Sequence, residues 1–241
     1  MLSLRYSRVA ALREIGVSGV ESLRGSKVAL VGVGGTGSLV ADLMVRNGIG
    51  KMILIDGDTI DISNIHRQIL FKEHDVGQNK AKVAAKELRL ANRSVQIEEE
   101  AEFLDEENAQ RLLGGSNLII DGTDNFRTRK IINKFAVSNG IPWIFQSAIG
   151  TIAQVKAVIP GKTSCFGCLH IPENAEEISC QDLGILPSAP HLSAALTVAI
   201  AVRILTGKEV DGAILTFDLW NGELHRVRAD RDPNCEVCGR I

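Results

Sequence analysis

Two pairs of cysteines, Cys165-Phe-Gly-Cys168 and Cys235-Glu-Val-Cys238, have the spacing that puts two thiolates on one tetrahedral metal. Both pairs together complete a closed four-cysteine zinc site. With no open coordination position, such a zinc is structural and pins the C-terminal tail to the segment around Cys165. Two redox dithiols are the alternative. The fifth cysteine, Cys180, belongs to neither pair. It is either an inert packing thiol or, on an exposed loop beside an activated acyl group, a nucleophile.

A second constellation surrounds the run Val28-Ala-Leu-Val-Gly32-Val-Gly34-Gly35-Thr-Gly37. Apolar residues running into glycines read as a buried strand, a tight turn and the start of a helix, where backbone N–H groups accept a phosphate. Asp56 ends the next apolar run, Met52 to Ile55, where a ribose-binding carboxylate is expected. Alone, these residues describe a dinucleotide enzyme, an NAD-dependent oxidoreductase. The polar loop from Asp56 to Gln68 carries Asp58, Ser63, Asn64, Arg67 and Gln68, and Lys80 opens the next helix. Two cations on one phosphate site, Arg67 and Lys80, argue for a triphosphate whose charge must be neutralised. A solvated charged loop explains either one singly. Asp124, in Asp121-Gly-Thr-Asp124-Asn125 after a buried strand, faces the same crevice. It either organises Mg2+ or caps the following helix.

The elements that must position these groups alternate. Strands are expected at 28–32, 52–56, 95–99, 118–121 and 142–146, and helices at 36–47, 79–91, 105–113 and 124–139. This order describes an α/β fold, a Rossmann-like, doubly wound and mostly parallel sheet. Residues 1–24 form a loosely helical N-terminal arm outside the nucleotide fold, and 25–147 the nucleotide-binding part. Residues 148–241 carry the zinc site within one continuous domain and handle something larger. In that last part a strand is expected at 151–160 and a long segment at 161–190 with little periodicity. A helix at 192–206 and a hairpin turning at Asn221-Gly222 follow.

Composition narrows the setting. The 241 residues are 45% hydrophobic and 23% charged, with a formal charge of −2, so no basic field invites nucleic acid. No signal peptide is read at the N-terminus. The most apolar stretch, Leu192 to Val202, is too short to span a bilayer, so no membrane association is expected. Paired cysteines of metal-binding type fit a reducing, cytoplasmic compartment.

Taken in order, Arg5-Tyr-Ser-Arg8, Gly32 to Gly37, Asp56-Gly-Asp58, Ser63-Asn64-Ile-His-Arg67-Gln68, Gly77-Gln-Asn-Lys80, Asp121 to Asn125 and the cysteine pairs resemble the ThiF/MoeB/HesA adenylyltransferases, relatives of the ubiquitin-activating enzymes. The resemblance covers nearly the whole chain. It implies ATP and Mg2+ as substrate and cofactor, and adenylation of the C-terminal glycine of a ubiquitin-like sulfur-carrier protein ending in Gly-Gly. Pyrophosphate is released, and the product serves thiamine, molybdopterin or tRNA-thiolation sulfur transfer. Gly35 then lies on the ATP loop and Asp56 holds the ribose. Asn64, Arg67 and Lys80 contact the phosphates, and Asp124 organises magnesium. Arg8 reaches into the partner's site of a homodimer. Cys180 matches the cysteine that takes over the carrier in thiamine-type members and is dispensable in molybdopterin-type members. Two departures are Ile65, where leucine is more frequent, and 182–191, which lacks a glycine-rich run. No rhodanese domain follows the tail, so sulfur is expected from a separate donor. A non-catalytic, zinc-stapled scaffold for a ubiquitin-like partner is the remaining alternative.

Overall fold

In the computed structural model, residues 4–171 and 183–239 are described. The arm forms α1 (Ser7–Ala10) and α2 (Gly16–Arg24), followed by β1 (Lys27–Val31), α3 (Gly35–Asn47) and β2 (Lys51–Ile55). Next come α4 (Lys80–Ala91), β3 (Gln96–Glu100), α5 (Ala109–Leu113), β4 (Leu118–Asp121) and α6 (Phe126–Ser138). β5 (Trp143–Ile149), β6 (Ile152–Val158), α7 (Ser188–Leu205), β7 (Ile214–Asp218) and β8 (Glu223–Val227) complete the order.

One sheet runs in the order β3-β2-β1-β4-β5-β6-β7-β8. β3, β2, β1, β4 and β5 pair in parallel, with Val31 opposite both Ile55 and Asp121. The chain then reverses at Gly150 (φ 56°), and β6, β7 and β8 pair antiparallel. The sheet is therefore mixed, parallel where the glycine turn sits and antiparallel beyond it.

Alternation along β1 divides the core. Val28 and Leu30 face one layer with Met44 of α3, Leu88 of α4 and Val198 of α7. Ala29 and Val31 face the other, with Leu112 of α5, Ile132 of α6 and the paired cysteines. β1, β2 and β4 are buried on both faces, which is why each reads as a continuous apolar run. Fully burying a side chain such as Leu30 contributes about 1.5–3 kcal/mol.

Several boundaries differ from the sequence reading. The arm does not stay outside the fold: Val20 and Leu23 of α2 are wholly buried. Tyr6 is also buried, its hydroxyl accepting from Asn92 Nδ2 at 2.8 Å. Its ring occupies the space that a Cβ on Gly48 would fill. The helix read over 105–113 is confined to Ala109–Leu113. Asp105 instead accepts from the N–H groups of Glu107 and Asn108 at 2.9 and 2.8 Å, a turn that competes with the helix. α7 begins at Ser188, not at 192, because Pro190 falls in its first turn, where no intrahelical N–H bond is lost. α7 is thus an 18-residue helix of mean hydropathy 1.5, longer than the stretch read from the sequence. Half of it is buried inside the fold, against α3, β5 and β6.

Candidate functional site

Strand order reverses between β1 and β4, so their C-terminal ends open a crevice at a topological switch point. The glycine turn fills its floor. Gly32 has φ 85°, and a Cβ there would meet the Gly122 carbonyl carbon at 2.8 Å. A Cβ on Gly37 would overlap the Gly32 carbonyl oxygen. These glycines let the turn, α3 and the loop after β4 touch through their backbones. Gly34 caps α3 without a side chain, so the first-turn N–H groups face the crevice with the positive end of the helix dipole.

The crevice measures about 820 Å³, and Gly35, Asp56, Asp58, Asn64, Arg67, Gln68, Lys80, Asp124 and Asn125 all line it. Asp56 Oδ2 accepts from Val33 N at 2.7 Å and Oδ1 from Asp58 N at 2.9 Å, which locks the carboxylate to the turn. Burial raises its pKa, opposed by those two bonds and by the charge of Lys80. Asn79 caps α4 by accepting from Lys82 N at 3.1 Å, and its amide donates to the carbonyls of Asp56 and Asp58. This sets Lys80 at the helix start, 7% exposed, with Nζ 2.5 Å from Asp58 Oδ2. The Arg67 stem lies over Gly35, 3.5 Å from where a Cβ would stand, and its guanidinium donates to the Ser63 carbonyl at 2.9 Å. Gln68 is 2% exposed, and its Oε1 has no hydrogen-bond partner among the described residues. It is an orphaned acceptor in the wall of a polar crevice.

Asp124 does not cap α6. Asn125 does, its side chain accepting from Thr128 N at 2.8 Å. Asp124 is left exposed in the lining of the crevice that Lys80 also lines. Ser63 lies behind Arg67 and outside the crevice lining, where its carbonyl orients that guanidinium. Arg8, exposed on α1, does not line the crevice of its own chain. Cys180 lies outside the described residues.

Sequence reasoning missed Arg129. Its Nε donates to Asp121 Oδ2 at 2.9 Å, and another nitrogen donates to the carbonyls of Thr123 at 2.8 Å and Gln146 at 3.3 Å. Its guanidinium stacks 4.7 Å from the Phe145 ring centroid. The signal was present: a charged residue on the inward stripe of α6, between Phe126 and Ile132. Phe103, which lines the crevice although 69% exposed, carried no such signal.

The four paired cysteines converge. Their sulfurs lie within 4.8 Å of one another, all buried. Cys168 and Cys238 are 3.3 Å apart, Cys165 and Cys235 3.6 Å, and Cys165 and Cys168 3.9 Å. Sulfurs at about 2.3 Å from a tetrahedral zinc are about 3.8 Å apart, whereas a disulfide needs about 2.05 Å. The Asn133 amide donates to Cys165 Sγ at 3.5 Å, and backbone N–H groups of Asp232, Val237 and Cys238 also face the sulfurs. A donor set of this kind suits thiolates, so the cluster could hold a zinc ion.

Residues 6–237 match the profile of the ThiF family. The chain is 34% identical over 239 residues to the sulfur carrier protein ThiS adenylyltransferase of Bacillus subtilis, covering 98% of this chain and 71% of that protein. It is 33% identical over 244 residues to the sulfur carrier protein adenylyltransferase of Thermus thermophilus, covering 98% and 90%. Among solved structures, E. coli MccB crystallised with ATP matches with a TM-score of 0.85 at 26% identity, over 98% of this chain and 74% of that one.

Proposed function

Because the chain belongs to the ThiF family, we propose that it uses ATP to adenylate the C-terminal glycine carboxylate of a ubiquitin-like sulfur-carrier protein, releasing pyrophosphate. One observation carries this reading: Arg67, Lys80 and Asp124 line one crevice together with Asp56 and the glycine-capped start of α3. A dinucleotide needs only the turn and the carboxylate, so the cations and Asp124 would have no task in an oxidoreductase.

The steps follow from charge. The carrier's carboxylate is already a nucleophile at neutral pH. It attacks the α-phosphorus, the α–β bridging oxygen leaves with pyrophosphate, and an acyl-adenylate remains. Asp56 fixes the ribose, the α3 N–H groups and Arg67 hold phosphate oxygens, and Lys80, freed from Asp58, neutralises charge on the leaving group. Asp124 would hold a magnesium ion, which supplies further neutralisation when bound. A zinc ion on Cys165, Cys168, Cys235 and Cys238 would tie the tail to the turn at Phe166–Leu169 and, through Asn133, to α6.

Arg8 is proposed to act across a homodimer, and the chain to work in the cytoplasm, where the thiols stay reduced. Sulfur is proposed to come from a separate donor protein. Carrier-dependent exchange of labelled pyrophosphate into ATP tests the reading. Absence of exchange with every Gly-Gly carrier of the same cell overturns it, and tight NAD binding without ATP binding would favour the oxidoreductase instead.

A further inference from the structure

β6 carries a lysine in a place built for an apolar side chain. Lys156 is 0% exposed and pairs in register with Phe145. Phe145 belongs to the sheet face covered by α6, Phe166 and the four converging cysteines. The Lys156 ammonium donates to the Gly212 carbonyl at 2.5 Å and to Ser164 Oγ at 3.1 Å. Ser164, next to Cys165, donates its own hydroxyl to the Ala229 carbonyl at 2.6 Å. These partners are neutral. Among the described residues no hydrogen bond or ion pair joins Lys156 to an Asp or Glu; burial lowers its pKa to about 8, opposed by the nearby Cys168 and Cys165.

A buried ammonium with only neutral acceptors is costly unless an anion faces it. Neutral thiols supply none, whereas four thiolates around a divalent cation carry a net charge of about −2 by formal count. Arg231 is another cation near the tail, and it donates to the carbonyls of Gly161 and Cys238 at 3.0 and 2.9 Å. Asn133 contributes a neutral donor to one sulfur.

We propose that Lys156 is the built-in countercation of the four-thiolate centre, a positioning residue whose charge holds the cysteines in their metal-binding form. The proposal rests on the zinc reading above. The ammonium and the loaded centre stabilise each other, and neither is well placed without the other. Outer partners of metal ligands tune affinity in this way.

The test loads wild type, Lys156→Met and Lys156→Gln with zinc. Transfer of the metal to a chromophoric chelator is followed, and thermal midpoints of the loaded and metal-stripped forms are compared. Lys156→Met keeps the chain length and removes the charge; Lys156→Gln keeps a donor for Gly212 and serves if the first variant does not fold. The expected result is zinc affinity lowered by about 10–100-fold in both variants. The stripped variants should be at least as stable as stripped wild type, so the gap between loaded and stripped midpoints narrows. Unchanged transfer, or equal lowering of both midpoints, would mean that Lys156 only fills space and overturns the proposal. Failure of wild type to take up stoichiometric zinc would overturn the zinc reading itself.

Discussion

Arg129 and Asp121 form a buried ion pair, Nε to Oδ2 at 2.9 Å, with side chains 6% and 0% exposed. Asp121 also accepts from the N–H and hydroxyl of Thr123, at 2.9 and 2.6 Å. One guanidinium and one carboxylate thus shape the loop that presents Asp124, and bind it to β5 through the Gln146 carbonyl. Removing the cation by Arg129→Met leaves the buried Asp121 carboxyl without its counter-charge. A loss of about 3–5 kcal/mol in unfolding free energy is expected by denaturant titration. Adding Asp121→Asn should recover part of that loss, and a cycle with purely additive effects would contradict the pairing.

Arg67 and Lys80 should matter to catalysis more than to stability. Arg67 is held by a surface carbonyl, and the Asp58 partner of Lys80 has a side chain 54% exposed. Arg67→Ala and Lys80→Ala are each expected to unfold within about 1 kcal/mol of wild type. Carrier-dependent pyrophosphate exchange should fall by about 100-fold or more in each.

Two glycines of one turn should fail differently. Gly37→Ala drives a methyl into the Gly32 carbonyl, where only backbone movement gives relief. A destabilisation of about 1–3 kcal/mol or more is expected, read as a lower thermal midpoint. Gly35→Ala meets only the Arg67 stem at 3.5 Å, an ordinary contact. That variant should keep its midpoint and bind ATP less tightly, because the methyl stands where a phosphate must approach.

Acid should weaken nucleotide binding through Asp56. Its folded pKa is raised by burial, so its own contribution to folding is present below the unfolded carboxylate value and lost as pH rises through the folded one. Binding has the opposite sign, because ribose hydroxyls donate to the ionised form. ATP affinity, measured by calorimetry, should be full at neutral pH. It should decline as pH falls into a range above that of an ordinary aspartate, and Asp56→Asn should lack this pH dependence.

Legibility followed the range of the interactions. The parallel strands and the glycine turn rest on neighbours in sequence, and the residues there announced them. The helix read at 105–113 starts only at Ala109 because Asp105 satisfies nearby N–H groups in a turn, a choice that apolar periodicity cannot see. The site was legible as a set of polar residues at strand ends. It was not legible that Asn125 caps α6 and leaves Asp124 exposed, since both residue types cap well.

By itself the sequence determined the family, the strand–helix alternation and the two chemistries, because glycine spacing and Cys-x-x-Cys spacing are local constraints. Tertiary structure alone decided what those groups face. It brought Cys165 beside Cys235 and set Lys156 on the same sheet face as Phe145. It also buried Arg129 against Asp121 and left Ser63 behind Arg67. These relations are long-range or depend on which side of an element is covered. The register of a sheet and the packing of a helix fix them, and no spacing along the chain encodes either.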